Sequence, residues 1–447
     1  MVIKSKSIFI FLFVCLTILL GACSDSSNTT ENTGSSNSDT EGENTSNTSE
    51  QTEEEQITLQ VLSPTRVEKP EGDVEQSFAD EFMKLHPNVT IEFMKMPMND
   101  AFNQITTMAT GGNLPDIYVV TGENIGRVHE MDVAENLNDV FDKEFLNGYN
   151  AGAIDQMSVD GELKAMPFFT IPMGMLYRAD WFEEAGIAPP KTWEDVVKAS
   201  EELTGDNRWG FAMLGSADGS GQSRFAHIFR TFGVKELYKD ENGEWATDLG
   251  TEKAVEAFRT FTDLAVTHEV VPPGPMQTSY GEAITLMANN QAAMMVTGPH
   301  STGAIYAQNP ELKGKLGSVP VPKDVEHVTT IGTYGLAISK NSEHKEMAAE
   351  YLKFITNKEN ALKWNEVTGR MPSITEALED SQIAGPTFKG FVEALDYTQE
   401  LPSAPFYVDV QNALGVAYQS ILAGEATPEE ATKKAAETVK ELIERNK

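Results

Sequence analysis

From Ile57 onward, short apolar runs with a period of two alternate with segments whose apolar residues recur at helical spacing. Ile57-Thr-Leu-Gln-Val-Leu62 alternates as a strand and stops at Ser63-Pro64. Asp73 to Leu85 then carries Val74, Phe78, Phe82 and Leu85 on one helical face, and His86-Pro87-Asn88 ends it. Val89-Thr-Ile-Glu-Phe93 is a second strand, Phe102 to Met108 a helix closed by Gly111-Gly112, and Asp116 to Val120 a third strand. This alternation predicts a parallel sheet with crossover helices. The pattern returns later. Thr192-Trp-Glu-Asp195 opens a capped helix, and Gly210–Leu214, Ala292–Thr297 and Ile331–Ile338 read as strands. A helix is predicted from about Glu343 to Ile355. Another runs from Thr427 to Arg445, with Pro428 in its first turn. About 390 residues of such alternation imply two domains or lobes.

The start of the chain is different. Lys4 and Lys6 precede a continuous apolar run, Ile8 to Leu20, of about 13 residues, shorter than the roughly 20 a membrane-spanning helix needs. It therefore reads as a signal-peptide core, with residues 1–22 removed. Leu20-Gly-Ala-Cys23 resembles the lipobox of bacterial lipoproteins. That resemblance implies a diacylglycerol on the Cys23 sulfur and a cell-membrane location, lipid-anchored on the extracytoplasmic face. The other cysteine, Cys15, lies in the leader, so no disulfide or catalytic thiol is expected in the folded part. The rest of 23–56 is Ser, Thr, Asn and Glu without a large apolar residue, which predicts a disordered acidic tether. The formal net charge is −34. With the leader's two lysines and the tether's nine acids set aside, about −27 remains on the folded part, which argues against nucleic acid as a partner.

Eight stretches in a fixed order carry a wider resemblance. They are Phe82-Met-Lys-Leu-His-Pro-Asn-Val89, Gly111-Gly-Asn-Leu-Pro-Asp116-Ile117, Asp160 to Pro167 and Leu176 to Trp193. The others are Gln291 to Pro299, Thr333 to Ser339, Thr368-Gly-Arg-Met-Pro372 and Ala423 to Glu430. Together they resemble the extracellular solute-binding proteins that serve ABC importers, in the branch containing maltodextrin-binding proteins. The resemblance implies an α/β, two-lobed periplasmic-binding-protein-like fold with an inter-lobe cleft and hinge crossings. One lobe would hold 57–169 and 325–370, the other 170–324 and 371–447. Phe168 to Gly174 is the first hinge candidate, since Pro172 and Gly174 punctuate an apolar run. The implied function is capture of a carbohydrate between the lobes and delivery to ABC permease transmembrane subunits, by a protein expected to be a monomer.

Sugar recognition uses aromatic faces against C–H surfaces and planar polar groups against hydroxyls. The resemblance places candidate contacts at Arg66, in the loop after the first strand, and at Glu123 and Asn124 beyond Asp116. Tyr177 is a further candidate, with core packing as its alternative. Gln222 and Arg224 lie in a Gly/Ser-rich region, and His300 stands where the family carries a stacking tryptophan. Tyr334 sits between glycines that allow close backbone approach. Arg370 either reaches the cleft or ties the last crossing together. Near the C-terminal crossing, Tyr407 and Gln411 are candidates, Gln411 in place of a second family tryptophan. These departures weaken a maltodextrin assignment, and Arg66, Arg224 and His300 leave room for an anionic solute. The seven histidines show no zinc-site spacing, and no nucleophile elbow or Walker loop appears, so no metal, no cofactor and no catalytic residue is expected. A lipid-anchored carbohydrate-active enzyme remains the rival reading; it needs two carboxylates about 5–10 Å apart at a cleft.

Overall fold

The structure is a computed structural model that describes residues 55–447 except Glu400 and Ser403. The expected leader, Cys23 and the tether as far as Glu54 lie outside the described residues. Two sheets organise the fold. In chain order their strands are β1 (Ile57–Leu62), β2 (Val89–Met94), β3 (Ile117–Thr121), β4 (Met166–Pro172) and β5 (Gly174–Arg178). They continue with β6 (Trp209–Phe211), β7 (Ala292–Thr297), β8 (Leu316–Pro320), β9 (Ile331–Ile338) and β10 (Met371–Pro372). The first sheet runs β10-β4-β9-β3-β1-β2 and the second β8-β5-β7-β6.

In the first sheet β1 is parallel to β2 and β3, as the alternation of strands and helices predicts. The helix Glu71–Leu85 connects β1 to β2 and buries Val74, Phe78 and Phe82 against the sheet. Leu85, the last position of that stripe, is exposed at the helix end. The all-parallel expectation fails at β9, which is antiparallel to both β3 and β4. The reason is its route: β9 enters from the second sheet through an extended crossing, not through a crossover helix that would enforce parallel pairing.

The crossings define where the lobes meet. β4 pairs with β9 as far as Pro172 and β5 begins at Gly174, so the chain changes sheet at Met173 and not at the 169/170 division. Met173 N–H donates to Thr329 Oγ1 at 2.9 Å, and that hydroxyl donates to the Met173 carbonyl at 2.8 Å. Thr329 also exchanges backbone bonds with Tyr397 and Gln399, at 3.0 and 2.8 Å. Three extended segments therefore run side by side at the join. Val325 and Glu326 still bond to the Thr231 carbonyl of the second lobe, which puts the return crossing near 329–330 and not at 325. Met371 and Pro372 form β10 at the edge of the first sheet, paired with Thr170 and Phe169, and Ser373 and Thr375 still exchange backbone bonds with Asn150 and Gly148, so the last crossing follows Thr375.

Each lobe has its own core. Phe78, Tyr118, Phe169 and Trp364 are packed in the first, and Phe225, Phe229, Phe258 and Tyr418 in the second. Capping boxes fix the starts of two second-lobe helices, Thr192 with Asp195 and Thr427 with Glu430. After the last crossing the helix Pro386–Ala394 lies on β8. A Cβ on Gly390 would meet the Ser318 carbonyl at 2.3 Å, and Gly390 N–H donates to Ser318 Oγ at 3.0 Å. Gly390→Ala is expected to lower the unfolding free energy by about 1–3 kcal/mol in urea titration. An unchanged midpoint would show that the helix moves away freely.

Candidate ligand-binding cleft

On the first lobe, β9 turns Thr333 into the interior and Tyr334 toward its margin. The half-buried Tyr334 ring stacks on Phe169 with centroids 4.7 Å apart and planes 18° from parallel. The Arg370 guanidinium lies 5.3 Å from the Phe169 ring centroid. It pairs with Glu71 and, at 3.3 Å, with Glu68. Burial raises the Tyr334 phenol pKa; Arg370 opposes the rise, and Glu123 and Glu68 add to it. Glu123 is exposed in the turn after β3. Asn124 beside it donates its side-chain amide to Thr121 Oγ1 at 3.0 Å.

Arg66 is engaged differently. Its guanidinium donates to the Gly72 carbonyl at 2.8 Å and to Gln76, and stands 5.3 Å from the Phe93 ring centroid. It thus faces its own helix. Beneath the same loop lies Glu75, which the sequence did not single out. It accepts from Ser63 Oγ at 2.6 Å and Thr65 Oγ1 at 2.7 Å, and burial pushes its pKa up to about 7.

On the second lobe, β7 ends at Thr297, and Gly298-Pro299 leads into the helix His300–Gln308. The His300 ring meets the Tyr280 ring at 5.5 Å. Tyr280 Oη is 3.1 Å from Ser301 Oγ, which is 2.5 Å from Thr297 Oγ1. The Arg224 guanidinium lies 4.7 Å from the Tyr280 ring centroid. It donates to Ser220 O and Oγ at 3.0 and 2.8 Å and to Thr297 Oγ1 at 3.4 Å. Burial, with the charges of Arg224 and then Arg370, holds the His300 pKa well below the usual imidazole range. The charges of Arg370 and Glu71 of the first lobe also reach the Tyr280 phenol, which places the two lobes' groups within electrostatic range at the join.

The remaining candidates divide. Tyr407 donates its hydroxyl to Glu236 at 2.5 Å. Burial raises its pKa well above the usual phenol value, first with Glu236 and finally with Glu123 of the opposite lobe adding to the rise. Gln411 is half-buried one turn further along the same helix, Tyr407–Leu422. Gln222 is buried and donates to Asn412 Oδ1 at 3.0 Å, tying Gly219–Arg230 to that helix. Tyr177 packs in the second core, edge-on to Phe182 at 4.9 Å and against Gly317. The structure therefore brings Tyr334, Arg370, His300 and Arg224 to one region, and the charge of Glu123 reaches Tyr407 from the opposite lobe. Arg66, Gln222 and Tyr177 turn into their own lobes. Phe169, Tyr280 and Glu71 join the region unpredicted. For Tyr280 the one local cue is its place in the first turn of a helix, directly after Ser279.

Comparison with known proteins gives a consistent result. Residues 68–362 match the family described as bacterial extracellular solute-binding protein. The maltotriose-binding protein of Pyrococcus abyssi is 23% identical over 340 residues, 75% of this chain and 71% of that one. The maltodextrin-binding protein MdxE of Bacillus subtilis is 24% identical over 393 residues, 84% of this chain and 82% of that one. Maltose-bound MalE3 of T. maritima superposes with a TM-score of 0.71 at 23% identity, covering 86% of this chain and 100% of that chain. The maltotriose-bound protein of Thermus thermophilus does so at 0.67 and 20% identity, with 87% and 99% covered. These superpositions bear out the two-lobed α/β fold. Because the family match spans well over half of the 447 residues, the chain belongs to the bacterial extracellular solute-binding protein family.

Proposed function

We propose that this protein is the substrate-binding lipoprotein of an ABC importer, which captures a sugar or oligosaccharide between its lobes and hands it to the permease. The observation that carries this reading is the pair of aromatic platforms at the join: Tyr334 stacked on Phe169 from one lobe, Tyr280 beside His300 from the other. Flat rings opposed across a hinge, with charged and amide groups between them, suit a pyranose ring with its equatorial hydroxyls. The names of the relatives point the same way. Closure would be a rotation about the segments at Met173, at Thr329–Thr330 and beyond Thr375. Cys23 would hold the protein at the outer face of the membrane, and the acidic tether would give the lobes reach to the permease. The protein acts as a monomer and leaves its ligand chemically unchanged.

Thermal unfolding across a saccharide panel tests this, since a ligand of the native state alone raises the melting temperature. At least one saccharide is expected to stabilise the protein without turnover. Tyr334→Ala is expected to weaken its binding roughly 10- to 100-fold. Product release from any saccharide, or no stabilisation by any, would overturn the reading. Cys23→Ser is expected to move the protein from the membrane fraction to the medium.

A further inference from the structure

The charges at the join are not all matched. Arg178 and Arg230 are deeply buried arginines, and each holds a carboxylate, Asp180 and Glu236, at 2.6 Å. Arg370 is shared by Glu71 and Glu68. Arg224 is 8% exposed, yet no carboxylate among the described residues lies within ion-pair distance of it. Its contacts are hydroxyls, one carbonyl and the Tyr280 face, and its Nε has no partner at all. Behind it lie Phe211, Phe225, Phe261 and Val296, so water screens it poorly. Next to this cation the buried Nδ1 of His300 also has no partner.

A buried guanidinium without a counter-ion in contact is costly; the carboxylate whose charge acts on it, Asp218, lies beyond ion-pair distance and accepts from the N–H groups of Ser220 and Gly221. We propose that the cleft takes a saccharide bearing a carboxylate, seated against the Arg224 guanidinium beside His300. This rests on the sugar-binding reading above and narrows it to acidic sugars. The acid group supplies the missing counter-ion in a planar, charge-assisted contact that a neutral hydroxyl cannot match. The large negative charge of the folded part does not prevent this. At physiological salt distant surface charges are screened beyond about 8 Å, whereas a buried cation is not.

The test is calorimetric titration of the whole protein with disaccharides in matched sets: neutral, 6-carboxylate and 6-phosphate. The carboxylate member of at least one set is expected to bind about tenfold or more tightly than its neutral counterpart. Arg224→Gln is expected to weaken the carboxylate member at least about tenfold more than its neutral counterpart, which erases the preference, and Arg224→Lys to keep part of it. A merely structural arginine would weaken all members alike. Should Arg224→Gln not fold, the preference of the unaltered protein for the carboxylate member over both the neutral and the phosphate members decides the matter. Equal or tighter neutral binding overturns the acidic assignment and leaves the sugar-binding reading standing. A preference for phosphate, or one that survives Arg224→Gln, overturns it too. If no member of any set binds, the sugar-binding reading falls with it.

Discussion

Replacing Glu236 by alanine is expected to remove about 3–5 kcal/mol of folding free energy, the usual cost of breaking a buried ion pair from one side. Glu236 is fully buried. One of its oxygens accepts from Arg230 Nη2 at 2.6 Å and from the Tyr407 hydroxyl at 2.5 Å, and Arg230 Nε reaches both oxygens at 3.2 and 3.0 Å. Alanine would remove the carboxylate that holds the buried guanidinium and the acceptor of the phenol together. Urea titration measures the loss. Glu236→Gln keeps an acceptor for Tyr407 but not the charge, so it should fall between alanine and the unaltered protein. Replacing Arg230 and Glu236 together by apolar residues of similar size should recover most of the loss. If alanine alone costs under about 1 kcal/mol, water enters the site and the pair is not a dry one. The effect reaches the cleft because Tyr407 begins the helix that carries Gln411.

That ion pair also shows what the chain discloses before it folds. Strands such as Ala292–Thr297 and Ile331–Ile338 are continuous apolar runs of strand length, and the structure has them at those bounds. The Thr192 and Thr427 caps were legible because capping is a contact over three residues. The direction of β9 was not, because it depends on which lobe the chain comes from. The candidate cleft divides in the same way. Tyr334, His300 and Arg370 stand in stretches that resemble the family, so they could be named. Their partners could not: Arg370 meets Glu71 across 299 residues, a contact that exists only once both crossings are made. Arg66 and Gln222 look like free polar groups in sequence and bond within their own lobes, Arg66 to Gly72 and Gln76 and Gln222 to Asn412. What separates Arg224 from Arg66 is place: Arg224 lies against Tyr280 beside His300, and Arg66 against Phe93 and its neighbouring helix, a difference that exists only in three dimensions.

Two buried groups pull the stability in opposite directions as pH changes through the acid range, and either single variant is expected to remove one side of that opposition. His227 lies in the helix Gly219–Arg230. Its Nδ1–H donates to the Ser223 carbonyl at 2.6 Å, and its Nε2 lies against Thr330 Oγ1 in the crossing, whose hydroxyl donates to it while the ring is neutral. Burial, then the charges of Arg230 and Arg224, press its pKa from 6.5 to about 4, with Glu236 opposing. The unfolded chain therefore takes up a proton below pH 6.5 that the native state refuses until about 4, and stability falls by about 3 kcal/mol as pH drops through that window. Glu75 works in reverse. Burial raises it from 4.5 to about 7 against the opposing contacts of Ser63, Thr65, Arg66 and Arg370, so the native state keeps a proton that the unfolded chain releases. Its share of stability is complete below pH 4.5 and falls by about 3 kcal/mol as pH rises to 7. Between pH 4.5 and 6.5 the two slopes cancel. Urea titration from pH 4 to 7.5 should show stability rising with pH in Glu75→Gln and falling in His227→Gln, each relative to the unaltered protein, in which every other group titrates alike. A His227→Gln difference curve without slope would mean that the imidazole is charged in the native state and that the bond to Thr330 at the crossing is made by a cation.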